Sequence, residues 1–168
     1  MSGSSAKAIM RMNSKNFFVS AVLCALGGVA VCAQTPGVLT VSEPSKLTVP
    51  RAGEATGSLK LQLQPGYHVN SNAPNEEYLI PLRLTWDSAA VETVAVHYPK
   101  PVSEKSDFSD KPLSVFNGNF EILTKFRRSS KASPGPGFLN GKLRYQACND
   151  KMCLPPKTLE VKVPLLVE

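Results

Sequence analysis

Two cysteines, Cys148 and Cys153, carry the chemistry that this sequence offers. Four residues separate them: Asn149, Asp150, Lys151 and Met152. A turn that opens on Asn and Asp would bring the ends of two strands together. Antiparallel neighbours at a hairpin mouth stand about 4.5–5.5 Å apart in Cα, which suits a disulfide. Three kinds of chemistry fit such a pair. As a structural staple it is weak, since a loop this small is worth roughly 2 kcal/mol against about 4.5 for a loop near 100 residues. As a redox pair it is well placed, because a sulfur at a loop tip is open to attack by another thiolate. Lys151 favours a thiolate and Asp150 opposes one. As a metal site it is poor: His68 and His97 would have to complete the ligand set from far along the chain, and C-x4-C is not a usual zinc spacing. The cysteines alone leave the redox and structural readings both open.

Stepping outward, the chain has four cysteines in 168 residues, and Cys24 and Cys32 fall in an N-terminal leader. Lys7, Arg11 and Lys15 form a positive start, and residues 17–31 are an apolar run. The run is shorter than the roughly 20 residues of a membrane span. Val31 and Ala33 suit the −3 and −1 positions of a cleavage site, so residues 1–33 are expected to be a secretory signal peptide and residues 34–168 one exported domain. Larger residues, Leu23 and Val31, precede the leader cysteines, which disfavours a lipid anchor. The expected location is the periplasm. Two cysteines in an oxidising compartment are expected to pair.

Loss of the three leader cations takes the formal charge from +6 to +3. The one basic cluster, residues 125–131, reads as a solvated loop, and so little clustered charge on an exported chain argues against nucleic acid as a partner.

The elements that must hold the pair are strands. Leu59, Leu61 and Leu63 alternate with polar residues, as do Leu82, Leu84 and Trp86, then Val94, Val96 and Tyr98, then Phe120, Ile122, Thr124 and Phe126. Leu143, Tyr145 and Ala147 alternate into Cys148, and Leu159, Val161 and Val163 alternate away from Cys153. Residues 38–41 and 46–49 read as an opening strand pair or one bent strand. Residues 67–70 read as a short strand. Asn117-Gly118 marks a turn, and residues 129–137 a Pro/Gly/Ser connection. Residues 99–112 form a long polar excursion in which Phe108 is the only aromatic. A loop of that length in a compact domain is usually functional. No helical period and no internal repeat is present. Eight or nine short strands predict an all-β fold, best matched by an immunoglobulin-like β-sandwich. The cysteines lie too close in sequence to bridge opposite sheets as in antibody domains.

The segment Tyr145-Gln-Ala-Cys-Asn-Asp-Lys-Met-Cys-Leu-Pro-Pro156 resembles the active-site segment of the N-terminal periplasmic domain of DsbD, the thiol:disulfide interchange protein. That family carries Tyr-Gln-x-Cys followed by Cys-x-Pro-Pro. Gly66-Tyr67-His68-Val69-Asn70 and the strand ending at Trp86 support the resemblance. It implies an immunoglobulin-like fold and a Cys148/Cys153 pair that cycles between dithiol and disulfide. It implies that Cys153 forms the mixed disulfide and Cys148 resolves it. A cap loop in the family lays an aromatic over the cysteines, and Asp107-Phe108 is the matching candidate here. Tyr145 is a second candidate for shielding the sulfurs, although its alternation with Leu143 also suits the core. The implied partners are a thioredoxin-like protein or domain, a membrane thiol-reductant transporter and oxidised periplasmic proteins. No metal or organic cofactor is implied. The spacing departs by one residue from the five between cysteines in a familiar member. Neither the family's membrane electron channel nor its C-terminal thioredoxin-like domain follows in this sequence, so electrons are expected from separate proteins. The competing expectation is an exported β-sandwich binding module with a purely structural hairpin disulfide.

Overall fold

A computed structural model of the protein describes residues 37–106, 109 and 111–168. The leader and the Asp107-Phe108 pair lie outside the described residues. Twelve strands run in the order β1 Leu39–Val41, β2 Leu47–Val49, β3 Glu54–Leu63, β4 His68–Asn70, β5 Arg83–Asp87, β6 Val91–His97, β7 Val102–Glu104, β8 Leu113–Asn117, β9 Asn119–Arg128, β10 Gly135–Tyr145, β11 Ala147–Cys148 and β12 Lys157–Val167. They form three four-stranded sheets. The first has the order β1-β3-β9-β6, the second β2-β12-β10-β5 and the third β11-β4-β8-β7.

The period-two pattern assigns the faces. Leu59, Leu61 and Leu63 of β3 and Ile122 and Phe126 of β9 point inward from the first sheet. Leu139 and Leu143 of β10 and Val161, Val163, Leu165 and Val167 of β12 meet them from the second. All belong to one buried cluster. Each such side chain contributes roughly 1.5–3 kcal/mol by leaving water. The result is the expected all-β, immunoglobulin-like sandwich. Trp86 packs against this core, edge-on to Phe126 at 5.5 Å, and its indole Nε1–H donates to the buried Thr124 hydroxyl at 3.1 Å. The indole lies across Gly141, its register partner, where a Cβ would fall 2.6 Å from the ring.

The opening segment is neither one bent strand nor a pair of strands bonded to each other, but two short strands given to different sheets. Strand β1 pairs antiparallel with β3, and β2 pairs parallel with β12 in the other sheet. Three further readings are corrected. The excursion over residues 99–112 contains β7, which pairs with β8. Strand β8 itself escaped detection because it is covered on both faces: Val115 joins Leu79 and Leu113, while its neighbour Phe116 joins the main core. A strand buried on both sides has no polar alternation to read. Residues 125–128 of the basic cluster are the end of β9 rather than a loop, and their charges are engaged. Lys125 pairs with Glu54, Arg127 pairs with Glu92, and Arg128 donates to the carbonyls of Ala132 and Glu168. The connection over residues 129–137 is shortened because β10 already begins at Gly135, opposite Val167.

Candidate functional site

The site grows out of the longest hairpin. Strands β10 and β12 pair from Gly135↔Val167 to Tyr145↔Lys157. Beyond that rung the chain leaves the second sheet. Residues 146–156 cross to the third sheet, where Ala147 and Cys148 pair with Val69 and His68 of β4. The cysteine hairpin is therefore an edge addition to a small sheet, carried on a long rigid ladder.

Local hydrogen bonds close the hairpin without help from sulfur. The Asn149 carboxamide oxygen accepts from the amides of Lys151 and Met152, both at 2.9 Å. This is the turn that its Asn-Asp opening predicts. The Asn149 amide donates to Met152 O at 2.9 Å, and the Leu154 amide to Ala147 O at 2.8 Å. Gln146 Nε2 donates to Leu154 O at 3.2 Å. These bonds bracket Cys148 and Cys153 and leave them as a non-hydrogen-bonded pair, the arrangement that brings side chains closest. The cysteines form a disulfide with a Cα separation of 4.0 Å, tighter than the hairpin mouth expected from sequence. Cys153 occupies an isolated bridge rather than the start of a strand, since β12 begins four residues later at Lys157.

The two sulfurs differ in access. Cys148 is fully buried, whereas Cys153 is half-buried beside Met152, which is 58% exposed. Alternation accounts for the first: Ala147 turns into the main core, and Cys148 turns to the opposite face of the sheet. Cys153 is thus the more accessible of the two. Tyr145 is 2% exposed and belongs to the core cluster. Burial pushes its phenol above the ordinary tyrosine range. His97 ends β6 in the first sheet, whereas His68 stands beside Cys148. With each cysteine bonded to the other, no thiolate is free to ligate a metal in this form. Sequence reasoning passed over Glu104. Its Oε1 lies 3.2 Å from His68 Nδ1, and Asn117 Nδ2 approaches its other oxygen at 3.5 Å. Only β7, unseen in the sequence, would have pointed to it.

The family model for the N-terminal domain of the thiol:disulfide interchange protein DsbD matches residues 35–165. The chain belongs to the DsbD N-terminal family. Among solved structures, the N-terminal periplasmic domain of ScsB from Proteus mirabilis superposes with a TM-score of 0.53 at 17% identity, over 70% of this chain and 43% of that one. The chain thus spans less than half of that domain's length, and the likeness bears on fold alone. The reduced N-terminal domain of DsbD from Neisseria meningitidis aligns at 16% identity over 75% of this chain and 81% of its own, with a TM-score of 0.45. No curated protein sequence matches the chain. Family and disulfide together point to thiol–disulfide exchange. Among the described residues no helix is long and apolar enough to cross a membrane.

Proposed function

We propose that this DsbD-type domain passes electron pairs from a thioredoxin-like donor to oxidised protein partners through Cys148 and Cys153. The observation that carries the reading is the unequal access to the two sulfurs of a disulfide on an edge hairpin. In the loading step a donor thiolate attacks Cys153 Sγ, the Cys148–Cys153 bond breaks, and Cys148 leaves as thiolate. A second donor thiolate resolves the mixed disulfide and frees Cys153. In the delivery step the Cys153 thiolate attacks a partner disulfide, and Cys148 then attacks Cys153 Sγ to release the reduced partner. Two electrons move in each step, from donor to pair and from pair to partner, and all of them reside on sulfur.

Export by residues 1–33 would place this exchange in the periplasm, with a membrane thiol-reductant transporter as the ultimate source of electrons. Asp107 and Phe108 belong to the proposal as a cap over the pair, on the strength of the family resemblance. Trapping tests the cysteine roles. Cys148→Ser should accumulate a mixed disulfide with an oxidised thioredoxin-like protein, and Cys153→Ser should accumulate none. Efficient capture by Cys153→Ser would reverse the assignment. Equilibration with glutathione tests the reading itself: a potential well below about −300 mV with slow exchange marks a structural bridge.

A further inference from the structure

A buried histidine faces the buried cysteine, and the reaction as described gives it no task. His68 and Cys148 are direct register partners across β4 and β11. Side chains of directly opposed residues stand on the same face of a sheet, with Cβ atoms about 4.5–5.5 Å apart. His68 is 3% exposed and Cys148 0%. One ring nitrogen is committed: His68 Nδ1 sits 3.2 Å from Glu104 Oε1. A carboxylate only accepts, so Nδ1 carries the proton and donates it, and the lone pair of the neutral ring lies on Nε2. Among the described residues that Nε2 is buried without a hydrogen-bond partner. A buried acceptor left unpaired is destabilising and calls for an explanation.

The disulfide supplies one. In the oxidised form Cys148 has no S–H to offer. Reduction creates a donor on the same face. We propose that His68 is the proton acceptor and donor for Cys148, oriented by Glu104 as the third member of a thiol–imidazole–carboxylate arrangement. The inference rests on the exchange function proposed above.

The steps balance. When a donor thiolate attacks Cys153 Sγ, the Sγ–Sγ bond breaks and its electron pair goes to Cys148. The protonated His68 then passes its Nε2 proton to that thiolate and becomes neutral. When Cys148 later resolves a mixed disulfide at Cys153, its thiol proton goes to His68 Nε2, and the thiolate attacks. Cys148, being buried, cannot exchange that proton with water directly, whereas Glu104 is 32% exposed on a cleft shared with Tyr67, Asn117 and Asp150. The proton therefore shuttles between Cys148 and His68 Nε2 through the cycle, while Nδ1–H stays with Glu104. Among the described residues the titratable groups placed against His68 are Glu104 from β7 and Cys148 from β11; Asp150 from the hairpin and Tyr67, next in the chain, share the cleft of Glu104, and β8 presents the neutral Asn117.

The test is the pH dependence of reduction of the oxidised chain by dithiothreitol, quenched by alkylation and expressed per dithiothreitol thiolate. In the wild type that constant should rise as pH falls, because the step consumes a proton through His68. His68→Gln should flatten the profile and slow the reaction at pH 6 by about tenfold, below the usual 10²–10⁴ of acid–base catalysis because a thiolate already leaves well. A folded His68→Gln with the wild-type rate and profile overturns the proposal. Should that variant not fold, Glu104→Gln decides. It keeps an oxygen for Nδ1–H but removes the charge opposite the imidazolium, so the acid limb should move to lower pH, and an unmoved limb overturns the proposal. A wild-type bridge that millimolar dithiothreitol does not reduce overturns the exchange function instead, a result distinct from either.

Discussion

Reducing the disulfide should leave the domain folded and only modestly weaker. The magnitude follows from the loop it closes. Cys148 and Cys153 are separated by five positions. Constraining so short a loop removes about 7 cal/mol/K from the unfolded chain, or roughly 2 kcal/mol at 25 °C. About 130 residues carry an unfolding entropy near 280 cal/mol/K, so the melting temperature should fall by about 7 °C. The native side of the balance changes little. Of the hairpin, Ala147 is fully in the main core and Leu154 packs partly against it, while apolar side chains of the other strands, chiefly β3, β9, β10 and β12, supply the rest. The Asn149 turn and the Leu154–Ala147 hydrogen bond close the hairpin without sulfur. The assay is urea and thermal unfolding of the oxidised chain beside the chain held reduced in a phosphine, by far-UV circular dichroism. A loss beyond about 5 kcal/mol, or unfolding on reduction alone, would refute the reasoning, since disulfides that hold small domains together reach that cost. It would also sink the exchange cycle, because a pair whose dithiol form is unfolded has no reduced state from which to deliver electrons.

Three further perturbations have definite expected outcomes. Gly141→Ala places a methyl 2.6 Å from the Trp86 ring, so it should cost about 1–3 kcal/mol and shift the emission of the chain's single tryptophan; unchanged fluorescence would mean that the indole does not lie there. Tyr145→Phe should remove an alkaline instability: burial raises the phenol above its unfolded value of about 10, so its contribution is complete below that pH and is lost as pH climbs through the higher folded value. Urea midpoints at pH 9 and pH 11 in wild type and variant would show whether that slope belongs to Tyr145. Phe108→Ala should speed alkylation of the reduced pair by iodoacetamide severalfold if Phe108 caps it, and an unaltered rate would remove the cap proposal.

The parts of the molecule legible in its sequence are those with one wet face. β3, β9 and β12 alternate because each lies in a sheet with the core on one side, and Leu59-Lys60-Leu61 or Val161-Lys162-Val163 announces this directly. The third sheet is the opposite case. Its β4 is buried at all three positions, and β8 sends Val115 and Phe116 to different clusters. Neither carries a periodicity, although residues 67–70 still read as a short strand, and β7 is three residues within a polar stretch. Yet this is the sheet that receives the cysteine hairpin. The pairing of Cys148 with Cys153 was therefore readable, being local, whereas the surroundings of Cys148 were not. They depend on His68, 80 positions earlier, and on Glu104 from a strand that the sequence hides. The same burial that erased the pattern is what gives the site its character. A strand enclosed on both faces can keep an imidazole beside a sulfur and out of bulk water, where a proton moves between those two groups rather than to solvent. A hairpin standing free on the sandwich would have been easier to read and would have left Cys148 as exposed as Cys153, with nothing to set the two sulfurs apart.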